Sequence, residues 1–134
     1  FHQRFEMGVG SLHDTLLHVL GAMRGWGDLL AGREQRERLE AGGRRTCAEL
    51  AALLADLSDE LERLAAAHPL EEVVTGARGG RSFSFTRGGV LTHVTTHGMH
   101  HRAQCLNMLR QLGVEPLPPV AVVEWILMVD APAG

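Results

Sequence analysis

The segment His93–His101, which reads HVTTHGMHH, constrains the fold most, because it holds four of the eight histidines within nine residues. Residues three, four, seven and eight positions apart share one face of an α-helix. His97 and His101 have this spacing and fall nearest an apolar face, with His93 and His100 at its rim and Gln104 on the same arc. The adjoining apolar face comprises Val90, Leu91, Val94, Cys105, Met108 and Leu112. The pattern predicts one long helix that carries histidines beside the core.

His97 and His101 form a pair that can bind one ion, since the Cβ atoms of residues i and i+4 lie about 5–6 Å apart on a helix. At least one further ligand must then come from elsewhere in the chain. The zincin proteases carry a glutamate directly after the first histidine of such a pair. Gly98 occupies that position here, so a zincin protease is not indicated.

An earlier helix is predicted over Leu12–Leu30, with Ser11 and Asp14 as its capping box. Its apolar stripe comprises Leu12, Leu16, Val19, Leu20, Met23, Trp26 and Leu30. His13 and His18 flank that stripe on opposite sides. Either one could supply the third metal ligand, and periodicity alone does not choose between them.

The middle of the chain is predicted to contain a loop, a helix and a hairpin. The charged, glycine-containing stretch Gly32–Arg45 is typical of a solvated loop. A capping box of Thr46 and Glu49 opens a helix over Cys47–Ala67. Its leucine stripe comprises Leu50, Leu53, Leu54, Leu57, Leu61 and Leu64, and its acidic residues Asp56, Asp59, Glu60 and Glu62 are predicted to form a solvated face. Strands around Val73, Val74, Phe83 and Phe85 are predicted to flank a glycine-rich turn at Gly76–Gly80.

The histidine helix is predicted over Gly88–Leu112, with Thr86 as its cap and Gly113 as its end. Pro116, Pro118 and Pro119 then interrupt the chain, and the apolar segment 120–129 favours a short helix.

Composition indicates a single domain over residues 1–134. The net charge of −3 gives no basic surface for nucleic acid. Apolar runs are short and broken by charges, so neither a membrane span nor a signal peptide is expected. Two cysteines, Cys47 and Cys105, make no disulfide framework, which fits a cytoplasmic location. Cys105 is predicted to be a buried core residue and not a metal ligand.

The segment LTHVTTHGMHHRAQCLNMLRQLG resembles the signature helix of the DinB (damage-inducible) family, whose pattern is HxxxHxxHHR[GA]Q. The segment SLHDTLLHVLGAMRGW resembles the family's earlier metal-binding helix, and the hairpin also matches. The resemblance implies a mainly α, up-down-down-up four-helix bundle that assembles as a homodimer. It also implies a divalent ion held by His18, His97 and His101. Zinc or nickel is expected first, and manganese, iron, cobalt or copper are alternatives.

Members of that family usually begin with a further helix, which is expected to be missing from this sequence, and residues 1–10 correspond to the loop after it. Three helices and a short tail are expected to leave one apolar face open unless a partner subunit covers it.

Three neutral nitrogen ligands leave coordination positions open, as catalytic sites do. Because branches of the family use low-molecular-weight thiols such as bacillithiol and mycothiol, the first expectation is activation of a thiol for attack on a small electrophile. The alternatives are hydrolysis by a metal-bound hydroxide and a non-catalytic metal-binding protein of the stress response. His93 and His100 are candidate catalytic or supporting residues. His100 and Asp14 are weak candidates for a general base and Gln104 cannot serve as one, which favours the thiol.

Overall fold

A computed structural model describes residues 1–129, and residues 130–134, which the predicted domain includes, lie outside the described part. The chain forms helix α1 (Leu12–Leu30), a 3-10 helix (Leu39–Gly42), helix α2 (Cys47–Ala66), strands β1 (Val73–Arg78) and β2 (Arg81–Thr86), and helices α3 (Arg87–Gln111) and α4 (Val122–Val129). The mainly helical fold with a short hairpin is therefore confirmed.

The three long helices begin where the sequence places their caps. The side chains of Ser11, Thr46 and Thr86 each accept a hydrogen bond from a backbone N–H in the first turn of α1, α2 and α3, respectively. Thr46 and Glu49 form the full reciprocal capping box. After α3, Gly113 adopts a φ of 74°, the left-handed conformation in which helices commonly terminate.

Helix α1 lies between α2 and α3 and packs against both. Its contact with α2 and the 3-10 helix builds a core of Leu17, Leu20, Leu39, Leu50 and Leu57. The sequence predicts one apolar stripe on α1, and that stripe does not include Leu17. In the structure Leu17 is buried, because α1 packs against a helix on each side and so buries two faces. The predicted leucine stripe of α2 is wrong at Leu54, which is 47% exposed.

The hairpin has longer strands and a tighter turn than the sequence suggested. Gly76 pairs with Phe83 inside the antiparallel ladder, and only Gly79 and Gly80 connect the strands. Both have positive φ, 57° and 77°, as a two-residue type I′ turn requires. Gly76 is a glycine for a different reason, because a Cβ there would lie 2.6 Å from the Phe83 ring.

The connection 32–45 is more structured than the predicted solvated loop. Leu39 is 3% exposed and belongs to the core. Arg33 and Arg36 both bind the buried carboxylate of Asp28 at 2.7 Å, and both also bind Glu60 on α2. Glu60 is thus not part of a solvated face, because it ties this connection to α2.

Helix α4 is short, and its residues Val123, Ile126, Leu127 and Met128 are exposed. The predicted short helix at this position is confirmed, whereas a closed four-helix bundle stays a prediction. Arg102 of α3 donates hydrogen bonds to the carbonyls of Pro119 and Val120 and so holds the segment that leads into α4. Across residues 1–129, no helix combines the length and apolar character needed to cross a membrane.

Candidate metal centre

His18 of α1 meets His97 and His101 of α3 where these two helices pack together. One ring nitrogen from each lies within 4.8 Å of the others, and within residues 1–129 these three form the side-chain group that could hold a metal ion. The Nε2 atoms of His18 and His97 are 3.2 Å apart. The long helices therefore bring together nitrogen atoms that are far apart in sequence.

The donor set fits a first-row divalent ion. Nitrogen ligands lie about 2.0–2.1 Å from zinc, so two of them at adjacent corners of a tetrahedron are about 3.3 Å apart. The 3.2 Å between the His18 and His97 nitrogens matches that spacing. Three imidazoles suit zinc, nickel, copper or iron and leave at least one coordination position for an external ligand.

Burial and the neighbouring imidazoles favour the neutral form of His97 and of His101. Desolvation, and then the neighbouring His101, His18, His93 and His100, lower the pKa of His97 to about 4. Desolvation also lowers the pKa of His101, although its hydrogen bond with Gln104 acts in the opposite direction. Neutral imidazole is the form that binds metal, so the lowered pKa values of His97 and His101 favour metal binding at neutral pH.

Gln104 lies beside this cluster and contacts His101, which belongs to it, and the neighbouring His100. Its Oε1 atom is 2.7 Å from Nδ1 of His101. Its Nε2 atom is 3.2 Å from Nε2 of His100. The sequence places Gln104 on the histidine arc of α3, and the structure joins it to the cluster through these two hydrogen bonds.

An aromatic wall, formed by Phe85, Trp26 and His93, runs from the hairpin to the cluster. The Trp26 ring lies 6.1 Å from Phe85 and 5.0 Å from His93, and the His93 ring lies 5.6 Å from His97. His93 and His100 are both exposed, as their predicted rim positions require. Sequence reasoning assigned Trp26 to the core and missed this wall, because it depends on how the hairpin packs against α1.

His13, the other candidate on α1, lies away from the cluster and is bonded elsewhere. It is 3% exposed, its Nδ1–H donates to Asp14 at 2.9 Å, and its Nε2 accepts the backbone N–H of Arg45 at 3.1 Å. The Nε2 bond thus ties α1 to the residues just before α2, and the Nδ1 bond lies within α1. The bond from His13, together with one from Ser11, lowers the pKa of Asp14.

Asp14, a weak candidate for a general base, and Cys105, considered as a metal ligand, have other surroundings. The carboxylate of Asp14 also accepts a hydrogen bond from Arg4 at 3.1 Å. Cys105 is 6% exposed, and burial raises the pKa of its thiol to about 11. Cys105 therefore remains a protonated thiol at neutral pH, as expected of a core residue.

Comparison with known proteins gives one family match. A model of the DinB family matches residues 1–123, a range that contains the hairpin and both helices that carry the clustered histidines. No curated protein matches the chain.

Proposed function

The chain belongs to the DinB family, and from this we propose that it binds one divalent metal ion through His18, His97 and His101. The observation that carries the proposal is the convergence of their ring nitrogens within 4.8 Å. Zinc and nickel are the ions that we expect first, because both bind imidazole readily.

The chemistry that we propose is transfer of a low-molecular-weight thiol to a small electrophile. A divalent ion at this position supplies positive charge that lowers the pKa of a thiol or of water. The thiol proton is released to solvent, and the sulfur forms a bond to an electrophilic carbon. The bond from that carbon to its leaving group breaks, and its electron pair departs with the leaving group.

The neighbouring side chains support a small-molecule reaction. The aromatic wall of Phe85, Trp26 and His93 adjoins His97 and offers a surface on which the apolar part of an electrophile can pack. His93 and His100 are exposed at the opposite ends of the histidine group, where they can contact either substrate.

Metal binding is tested on protein purified without added metal. Elemental analysis followed by calorimetric titration of the metal-free protein should give one zinc or nickel ion per chain. The double variant His97→Ala/His101→Ala should lose this binding while keeping its helical circular dichroism. Full metal occupancy in the double variant would refute the proposed site.

The thiol role is tested with cobalt as a spectroscopic substitute. Adding a low-molecular-weight thiol to cobalt-loaded protein should produce a sulfur-to-metal charge-transfer band. His97→Ala should abolish the band, and Cys105→Ala should preserve it, since the sulfur comes from the added thiol. Ester hydrolysis without a thiol, with an apparent pKa near ~7, would instead identify a hydrolase. Metal binding with neither response across panels of thiols and esters would identify a non-catalytic metal-binding protein.

A further inference from the structure

We propose that Gln104 is a positioning residue for the metal centre and that Gly8 of the N-terminal segment holds it in place. The proposal rests on the proposed metal-binding function, which it deepens by adding residues that orient a ligand. Three features support it: the hydrogen bond from His101, the hydrogen bond to His100, and the close approach of Gly8.

The first feature sets which nitrogen of His101 is free to bind metal. An amide oxygen can only accept a hydrogen bond, so the 2.7 Å contact between Oε1 of Gln104 and Nδ1 of His101 requires a proton on Nδ1. A neutral imidazole with its proton on Nδ1 presents the lone pair of Nε2. Gln104 thereby selects the ring nitrogen that can act as the metal ligand.

The second feature is the contact between the Gln104 amide nitrogen and His100. Its nitrogen can only donate, so the 3.2 Å contact requires Nε2 of His100 to accept. With His101 protonated on Nδ1 and His100 accepting at Nε2, a rotated amide would face a donor against the Nδ1–H of His101 and its oxygen against the lone pair of His100. In this arrangement both ends of the Gln104 amide are hydrogen-bonded.

The third feature is the packing of Gly8 against the Gln104 side chain. A Cβ at Gly8 would lie 2.7 Å from Oε1 and 3.3 Å from Cδ of Gln104, and 3.3 Å from Oγ1 of Thr15. The first distance is too short for a carbon and an oxygen in contact. The side-chain amide of Asn107, on the same helix, donates to the sulfur of Met7 at 3.8 Å and brings this segment onto α3.

His101 is the proposed ligand whose second ring nitrogen is held by a hydrogen bond to a neighbouring side chain within residues 1–129. Within the described residues, no hydrogen bond reaches Nδ1 of His18 or of His97, whereas Nδ1 of His101 is held by Gln104. Partners of this kind fix the ring orientation and the tautomer of a metal ligand, and their loss typically costs about 10- to 100-fold in metal affinity.

Substitutions at Gln104 separate hydrogen bonding from packing. Gln104→Leu keeps the approximate volume but cannot accept from His101, and it should weaken zinc affinity by about 10- to 100-fold. Gln104→Glu restores the acceptor, although it cannot donate to His100, and it should bind zinc at least ten times more tightly than Gln104→Leu. Zinc affinity of Gln104→Leu equal to that of the unaltered protein would overturn the proposal.

Substitution of Gly8 tests the contact from the N-terminal segment. Gly8→Ala should weaken zinc binding, because the added methyl group displaces Oε1 of Gln104. Gly79→Ala is the matched control: Gly79 has a φ of 57° against 55° for Gly8, but a Cβ there meets nothing within 4 Å. Both variants carry the same backbone strain, and only the first touches Gln104. Equal zinc affinities for the two would refute the role of Gly8.

A measurement on metal-free protein distinguishes failure of this proposal from failure of metal binding. Nitrogen-15 chemical shifts at mildly alkaline pH should identify His101 as the Nδ1–H tautomer, and Gln104→Leu should change the shifts toward a mixture of tautomers. An Nε2–H tautomer in the unaltered protein would refute the role of Gln104 whether or not zinc binds. Failure of the unaltered protein to bind any metal, with the expected tautomer present, would instead refute the proposed function alone.

Discussion

Two histidines of α1, His13 and His18, have different surroundings and different expected roles. His13 and His18 flank the apolar stripe at similar angles, but His13 is buried toward the start of α2 and His18 faces α3. Periodicity could identify both as flanking residues. It could not choose between them, because the choice depends on which neighbouring helix covers each side of α1. The family resemblance, and not the spacing, selected His18.

The two histidines should respond differently to removal. His18→Ala should sharply reduce zinc affinity and leave folding stability nearly unchanged, since His18 faces the cluster. His13→Ala should retain zinc affinity but lower the free energy of unfolding by about 1–3 kcal/mol, because the buried imidazole is lost and the part-buried N–H of Arg45 loses its acceptor. Calorimetric titration and urea unfolding measure the two effects. Similar loss of zinc affinity in both variants would contradict the assignment.

At the scale of elements, the sequence predicted helices well and connections less well. The bounds of α1 follow from Ser11 and the apolar stripe, and those of α3 from Thr86 and Gly113. The connection 32–45 was predicted as a loop, since its charges obscure a lone buried Leu39. Its arginines find Asp28 and Glu60 only after α1 and α2 have packed, so their partners are not visible in local sequence.

The ion pairs of Glu60 predict a dependence of stability on pH. Partial burial acts to raise the pKa of Glu60, but hydrogen bonds from Arg36 and Arg33 outweigh it and lower the pKa below the ordinary 4.5. The folded state therefore holds this proton less tightly than the unfolded chain does. The stability that Glu60 contributes is present above pH 4.5 and is lost as pH falls through its lower folded-state pKa.

Glu60→Gln should thus lower the urea midpoint at neutral pH, and the difference from the unaltered protein should shrink in acid. Glu62→Gln, an exposed position on the same helix, is the control and should change the midpoint little at either pH. A Glu60→Gln difference that stayed constant from neutral pH to below pH 4 would show that the carboxylate charge is not responsible.

At the scale of the whole molecule, α1 is the centre on which α2 and α3 pack, and the histidine cluster lies on its α3 side. The sequence could predict that α1 and α3 carry the candidate ligands, because both histidine patterns are local. It could not predict the aromatic wall or the contact of Gly8 with Gln104, since each joins segments that are distant in the chain. Such contacts follow from packing, which helical periodicity does not specify.

The exposed apolar side chains near the end of the described chain lead to a prediction about assembly. Val123, Ile126, Leu127 and Met128 of α4 are each more than half exposed, at 59%, 51%, 66% and 67%. Large exposed apolar patches are uncommon on isolated monomers and are typical of subunit interfaces. We expect a homodimer with two-fold symmetry in which α4 contributes to the buried surface, as the family resemblance also implies.

Light scattering at micromolar concentration should give the mass of two chains. Leu127→Glu should shift the population toward one chain, because a dimer that buries α4 would have to desolvate the new carboxylates. Leu54→Glu is the matched control, since Leu54 is also an exposed leucine but lies on α2. A mass of one chain for the unaltered protein with a cooperative melt would contradict the homodimer, and an equal response of the two variants would place the interface away from α4.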